Sequence, residues 1–301
     1  MSQDITARRL RAGIVGGGRG AFIGSVHRIA AELDGQANVV AGALSSNAAI
    51  ARESAAAWFL DRSYDSFEAM ARAEAARPDG IDFVIVATPN QLHFPVAQAF
   101  LDAGIHVMCD KPLAFTLAEA EQLAARTAQG KTLLGLTHTY TGYPAVREAR
   151  ELVRAGSIGA LRKVLVGGAK GTLTCSQVAC GEENNLWIRI YGTKAGLEWH
   201  QQEPNTLILK PAGEPWRLLR AAGGYMSEAA KAVTRTPGGH PEGYLEAFAN
   251  LYRAFIADIR RVATGERTQG GYASTEDGLR GMRFIARAVE SSAQGSRWVQ
   301  L

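Results

Sequence analysis

The stretch Met108-Cys109-Asp110-Lys111-Pro112-Leu113-Ala114 sets a lysine directly before a proline, just past a short apolar run. A residue that precedes proline is biased away from the helical region. Lys111 is therefore expected to stand extended where a strand ends. An ammonium in that place can bond a ligand hydroxyl and stabilise negative charge that develops on its oxygen. The plainer reading is a surface lysine at a strand end, and position alone does not separate the two. A second stretch, GGGRGA at residues 16–21, holds Gly16-x-Gly18-x-x-Ala21 between an apolar run and a helical pattern. Glycine at the first position permits a tight turn, and at the second it lets a pyrophosphate approach the backbone. A small third residue lets helix and strand pack closely. The helix that follows offers free N–H groups and the positive end of its dipole. In a strand–turn–helix setting this pattern points to a bound dinucleotide.

The choice of dinucleotide is read where the second strand ends. NAD sites usually place an Asp or Glu there, to bond the ribose diol. Here that strand runs out in Leu44-Ser45-Ser46-Asn47, with no acid. Small hydroxyls at Ser45 and Ser46 tolerate a 2′-phosphate, and Arg19 or Arg52 is placed to help bind one. NAD and NADP both stay open as the cofactor.

These residues need elements to hold them. LRAGIVGGG leads into a helical pattern carrying Phe22, Ile23, Val26 and Ile29. A second strand, ANVVAGALSS, precedes the alanine-rich helix NAAIARESAAAWF and the helix SYDSFEAMARAEA. DFVIVAT has the unbroken apolar character of a parallel strand covered on both faces. QLHFPVAQAFLDAG reads as the crossover helix, and IHVMCDK as the next strand. The helix TLAEAEQLAARTAQG is capped by Thr116 and ends at Gly130, and the strand KTLLGLTHTY follows it. This alternation to about residue 140 predicts a doubly wound parallel sheet, an α/β fold. YPAVREARELVRAG then reads as a linking helix. Beyond it LRKVLVGGAKGTLTCSQVA, LWIRIYGTKAGLEWHQQEPNTLILKP and PWRLLRA read as strands with short turns. Two helices close the chain. The expected division is a nucleotide-binding domain over 1–140 and an α+β domain over 141–301, its sheet open and mostly antiparallel.

Composition narrows the classes. The chain has 301 residues, 47% of them hydrophobic, and this is enough to bury a sizeable core. A formal net charge of +4 with scattered basic residues argues against nucleic acid as a partner. The three cysteines, Cys109, Cys175 and Cys180, form no C-x-x-C pair and no zinc spacing, so no metal is expected. They read as reduced thiols in a cytoplasmic protein. No apolar run approaches the roughly 20 residues that cross a bilayer.

In combination, GIVGGGRGAFIGSVHR, VIVATPNQLHFPVAQAFLDAGIHVMCDKPLA and GHPEGYLEAFANLY resemble the Gfo/Idh/MocA oxidoreductases, over nearly the whole chain. The resemblance implies an N-terminal Rossmann domain and a C-terminal domain built on an open, largely antiparallel sheet. It implies hydride transfer between NAD(P) and a carbon of a sugar, cyclitol or related polyol. It also implies homo-oligomers formed through the C-terminal sheet. Gly16, Gly18 and Ala21 match the family's pyrophosphate turn, and Ser45 and Ser46 its ribose-reading position. Thr88, Pro89, Asn90 and His93 match the loop beside the nicotinamide ribose. Lys111 and Pro112 match its Glu-Lys-Pro, with Asp110 in place of the Glu. His138 and Tyr140 fall at the end of the sixth strand, which faces cofactor and substrate. His240, Pro241 and Glu242 resemble a stretch near the active site. His27 and His106 read as structural, and His200 as an exposed sheet residue.

One departure stands out. Oxidation of an alcohol needs a base for the hydroxyl proton. In the family a helix of the C-terminal domain supplies it, with an acid and, one turn later, a histidine. Here RKVLVGG runs almost directly into AKGTLTCSQVA, so that segment is expected to be missing, with a tight turn near Gly167 to Gly171. The only acid followed four residues later by histidine is Asp102 with His106, in a helix-to-strand turn of the nucleotide domain. Two functions follow from this: an oxidoreductase in which His138 or His240 substitutes as base, or a nucleotide-binding or decayed relative without catalysis.

Overall fold

The computed structural model describes residues 5–129, 132–164, 178 and 180–300. It forms two compact units, Met1–His138 with Leu251–Leu301, and Thr139–Asn250. The first unit holds strands β1 (Leu10–Gly16), β2 (Ala37–Ala43), β3 (Arg62–Ser63), β4 (Phe83–Ala87), β5 (His106–Cys109) and β6 (Leu134–Leu136). Between them run helices α1 (Phe22–Glu32), α2 (Ala48–Ala57), α3 (Phe67–Ala75), α4 (His93–Asp102) and α5 (Leu117–Gln129). The strands lie in the order β3-β2-β1-β4-β5-β6, all parallel. This is the doubly wound arrangement read from the sequence, and the order reverses between β1 and β4. Ligands bind at that reversal, beyond the carboxyl ends of the strands.

Every residue of β4 is buried. Helices cover both faces of the sheet, so a central strand carries an unbroken apolar run rather than an alternation. Ser66 caps α3 by accepting the Ala69 N–H. Thr116 and Glu119 bond each other's backbone N–H at the start of α5, a reciprocal cap.

The second unit holds α6 (Pro144–Arg154), β7 (Leu161–Val164), β8 (Trp187–Gly192), β9 (Ala195–His200), β10 (Thr206–Pro211), β11 (Arg217–Arg220) and the short α7 (Glu228–Lys231). Among the described residues its five strands form an antiparallel meander, β11-β10-β9-β8-β7. One face packs Leu197, Trp199, Leu207 and the partly buried Ile188 and Ile190 against Tyr143, Ala145 and Ala149 of the α6 region. The period of two along each strand explains why the other face carries Trp187, Arg189, Glu198 and Lys210.

Helix α8 (Tyr244–Ala263) crosses the boundary between the units in sequence, and the chain closes with β12 (Ala273–Ser274) and α9 (Thr275–Ala293). β12 adds one antiparallel edge to the parallel sheet, with Ala273 opposite Leu136. By compactness the last residues thus group with the nucleotide-binding sheet. The strand expected in TLTCSQVA (Val178 apart), the turn near Gly167 to Gly171, the helix end at Gly130 and Cys175 lie outside the described residues.

Candidate active site

The glycine turn is built as the motif requires, with one correction. Gly16 has φ +78 and Gly17 φ +69, in the left-handed region that favours glycine. A Cβ on Gly16 would stand 2.8 Å from the Ala87 carbonyl oxygen, and one on Gly18 2.8 Å from that of Leu44. The close packing expected of Ala21 is made by Gly24 instead. A Cβ there would collide with the Gly17 carbonyl oxygen, whereas Ala21 is exposed just before the helix starts. The apolar face of α1 is shifted as well. Phe22 and Ile29 are exposed, and the buried residues are Gly24, Val26, His27, Ala30 and Ala31. No side chain caps the N-terminus of α1. Its first N–H groups are left for a ligand, in the manner of a pyrophosphate site.

A cleft of about 520 Å3 opens over this turn. Gly16, Gly18, Arg19 and Ala21 line it, with Ser45 and Ser46 from the end of β2 and Thr88 and Pro89 from the end of β4. The hydroxyl of Thr88 is buried without a hydrogen-bond partner. A buried orphan hydroxyl, a glycine cradle and an uncapped helix start together fit a dinucleotide. The end of β2 is free of acid, as read. Arg19 lies 3.2 Å from Glu53, while Arg52 does not line the cleft. Asp65 and Glu68 do line it, and the sequence pattern gave no reason to expect them.

Asn90, His93, Lys111 and Pro112 lie off that lining. His93 is buried at the start of α4. Its Nδ1 faces the Pro112 carbonyl oxygen at 2.6 Å and its Nε2 faces that of Thr88 at 3.0 Å. The ring is consumed in tying the loop after β4 to the turn after β5. Lys111 is exposed and Asp110 half-buried beside it. The Asp110 carboxylate accepts from Thr137 Oγ1 at 2.8 Å, and its Oδ1 lies 3.8 Å from His27 Nε2. Burial raises the Asp110 pKa, but bonds from His27, Thr137 and the Lys111 N–H outweigh it and hold the group below its ordinary value. His27 is fully buried, with Tyr252 Oη 2.5 Å from its Nδ1. The structural role expected of His27 is thus a link in a buried network. Tyr252 lies 225 residues away along the chain, and no spacing rule finds such a partner.

The sheet register brings Lys111 and His138 to neighbouring strand ends. Cys109 of β5 pairs with Leu136 of β6, and each of the two residues stands two places further on. Burial pushes His138 below the ordinary imidazole value, and the charges of Asp277 and Asp110 bring it part of the way back. The net effect favours the neutral ring of His138. His106 is half-buried, and that burial pushes it down to about 4. Its Nδ1 accepts the Leu133 N–H, a structural task.

His240 belongs to the other unit, exposed on the loop before α8, where its carbonyl accepts from Thr236. Its neighbour Glu242 is buried and accepts the Arg235 and Thr236 N–H groups, which braces that loop. His200 is half-buried rather than exposed. Among the described residues no His/Cys/Asp/Glu group can hold a metal, and no helix is long and apolar enough to cross a membrane. Cys109 and Cys180 are free thiols.

Comparison with known proteins agrees with this geometry. Residues 10–138 match the oxidoreductase family, NAD-binding Rossmann fold, and residues 165–301 match its C-terminal alpha/beta domain. An oxidoreductase from Sinorhizobium meliloti superposes with a TM-score of 0.92 at 42% identity, over 97% of this chain and 100% of that one. An inositol dehydrogenase homologue from Azotobacter vinelandii, solved with NADH and myo-inositol, does so with a TM-score of 0.91 at 30% identity, over 98% of each chain. The uncharacterized oxidoreductase YfiI of Bacillus subtilis is 28% identical over 99% of this chain and 98% of its own length. That alignment runs over 386 positions against the 301 residues here, so at least 85 positions face a gap in this chain. Both chains are spanned almost end to end, so the shortfall is internal. The Rossmann order, the glycine cradle and these likenesses over the full chain agree: the chain belongs to the Gfo/Idh/MocA oxidoreductases, and its cofactor is a nicotinamide adenine dinucleotide, NAD or NADP.

Proposed function

We infer that the chain is an enzyme that moves a hydride between this cofactor and a carbinol carbon of a sugar, cyclitol or related polyol. The observation that carries the reading is the pairing of β5 with β6, which sends Lys111 and His138 off adjacent strand ends. Bound there, the nicotinamide ring supplies the hydride acceptor or donor. The chain's own residues handle the oxygen and its proton. The Lys111 ammonium donates to the reacting oxygen and stabilises charge on it. The neutral His138 ring takes the hydroxyl proton, in place of the family's usual acid–histidine helix. Asp110 grips the Lys111 backbone, and His93 fixes the next residue's carbonyl. The substrate class is supported by the relative solved with myo-inositol.

We place the homo-oligomer contact on the open face of the antiparallel sheet. Trp187, Tyr191, Trp216 and Leu218 are exposed there, on strands whose other face fills the core. Such a patch is more apolar than a solvent face requires.

The test is a polyol and sugar panel with NAD and NADP, beside fluorescence titrations of the reduced dinucleotides. Turnover on at least one polyol is expected. Lys111→Met is expected to lower kcat by about 100-fold or more, with NADH affinity nearly unchanged. Tight NADH binding without turnover on any polyol or sugar would overturn the catalytic reading. Turnover unaltered in Lys111→Met would remove that residue's part in it.

A further inference from the structure

The second strand ends without a carboxylate, yet the cleft is not without carboxylates. β2 and β3 are parallel neighbours, with Gly42 opposite Ser63. The Tyr64 N–H bonds the Gly42 carbonyl at 2.9 Å, which carries that register beyond the strands. The chain therefore leaves the two strands side by side, as Leu44-Ser45-Ser46 from one and Tyr64-Asp65-Ser66 from the other. Ser45, Ser46, Asp65 and Glu68 line the same cleft as the glycine turn.

Most polar groups at this end are already engaged. The Ser66 hydroxyl accepts the Ala69 N–H at 3.2 Å. The Asn47 side chain accepts the N–H groups of Ala49 and Ile50. Ser45 Oγ accepts the Asn47 N–H at 3.1 Å. Asp65 and Glu68 differ, since neither has a hydrogen bond or ion pair among the described residues. Cationic groups are scarce at the same place. Arg19 lies on the lining, but its guanidinium already faces Glu53 at 3.2 Å.

A ribose diol offers two hydroxyl donors and suits an unengaged carboxylate. A 2′-phosphate brings a charge of about −1.5 to −2 and would face two carboxylates and one arginine that is already paired. We propose that Asp65, delivered by β3, takes the place of the acid absent from β2. It accepts from the adenosine ribose hydroxyls, and with Glu68 it excludes a 2′-phosphate, so the chain selects NAD over NADP. This rests on the dinucleotide assignment of the cleft and resolves a choice that the serines at the end of β2 leave open.

Fluorescence titration of the full chain with NADH and with NADPH tests it. Wild type is expected to bind NADH at least about tenfold more tightly, a difference of about 1.4 kcal/mol. Asp65→Ser is expected to weaken NADH alone. The double variant Asp65→Ser/Glu68→Gln is expected to erase the preference, mainly by tightening NADPH. Added salt should narrow the wild-type preference, because part of it comes from charge repulsion. Both side chains are exposed, so unchanged melting temperatures should accompany these shifts. Equal or tighter NADPH binding by wild type would overturn the proposal, as would a preference untouched in the double variant. Loss of NADPH binding in Arg19→Gln, with NADH unaffected, would show that Arg19 reads a phosphate and would also overturn it. If wild type bound neither dinucleotide, the cofactor assignment itself would fall, and this proposal with it.

Discussion

His138 and Lys111 share a sheet end but not an environment. Lys111 is exposed, whereas His138 is half-buried and lowered by that burial, against the opposing charges of Asp277 and Asp110. A base must be neutral to accept a proton, and the neutral fraction rises above its pKa. A lowered pKa therefore carries activity to more acid pH. The acid limb of kcat/KM is expected below about pH 6.5, the ordinary value of imidazole. Asp277→Asn removes a charge that raises His138, so it should move the limb to still lower pH. His138→Gln should abolish the limb and lower kcat by about 100-fold. A pH–rate profile of the three proteins checks this, and a limb that stays in place in His138→Gln would assign the proton to another group. At this scale the sequence was partly legible. Lys111 stood out because proline restricts the residue before it and the apolar run marks a strand end. The network of Asp110, His27 and Tyr252 did not, because its members come from the turn after β5, from α1 and from α8 and share no local spacing.

Among the elements, the turn from β1 into α1 most directly shapes the cofactor site. Gly24 packs its backbone on Gly17, so helix and turn lie closer than any side chain would allow. Gly24→Ala is expected to push α1 outward and to cost about 1–3 kcal/mol, the usual range for overpacking. NADH affinity should fall with it, because the displaced N–H groups are those that meet the pyrophosphate. Gly20→Ala is the control. A Cβ there meets nothing within 4 Å, although φ is +88. It should cost about 1–2 kcal/mol of backbone strain with little change in affinity. Urea midpoints and NADH titrations of both variants separate packing from strain. The shifted face of α1 has the same origin. Hydrophobicity favours Phe22 and Ile29, but the face turned inward is the one that carries Gly24, Val26, His27, Ala30 and Ala31. The long parallel strands were legible because burial on both faces makes them continuously apolar. β3 and β12, of two residues each, carry no period and were not. The place of Asp65 depends on β3, so it could be found only once the register was known.

On the scale of the whole molecule, the change of rhythm near residue 140 foretold two kinds of sheet, and both are present. The sequence rhythm did not foretell that the last helix returns to the parallel one, since contact between distant segments leaves no period. Among the described residues the antiparallel sheet has five strands in a simple meander. Its open face bears on assembly. Trp216 lies over Lys210 at 4.0 Å and Trp187 under Arg189 at 4.5 Å, so each exposed ring already holds a cation. Glu198 sits between those cations, 3.1 Å from Arg189 and 2.6 Å from Lys210. Burial raises its pKa, but the Lys210 bond and the surrounding positive charges outweigh this and keep it ionised. The one carboxylate of this cluster is therefore paired within one copy, and covering the face strands no lone carboxylate. Its apolar residues then supply the gain on association. A stable contact buries on the order of 1,200–2,000 Å2 in total, and exposed tryptophans at its centre would dominate it. Analytical ultracentrifugation at micromolar concentration is expected to give at least a dimer. Trp216→Lys/Leu218→Lys adds two charges at exposed positions and should shift it to monomer while leaving NADH affinity intact, because the dinucleotide cleft lies wholly in the other unit. A monomeric wild type would remove the contact, and an oligomer that survives the double substitution would place it on another surface.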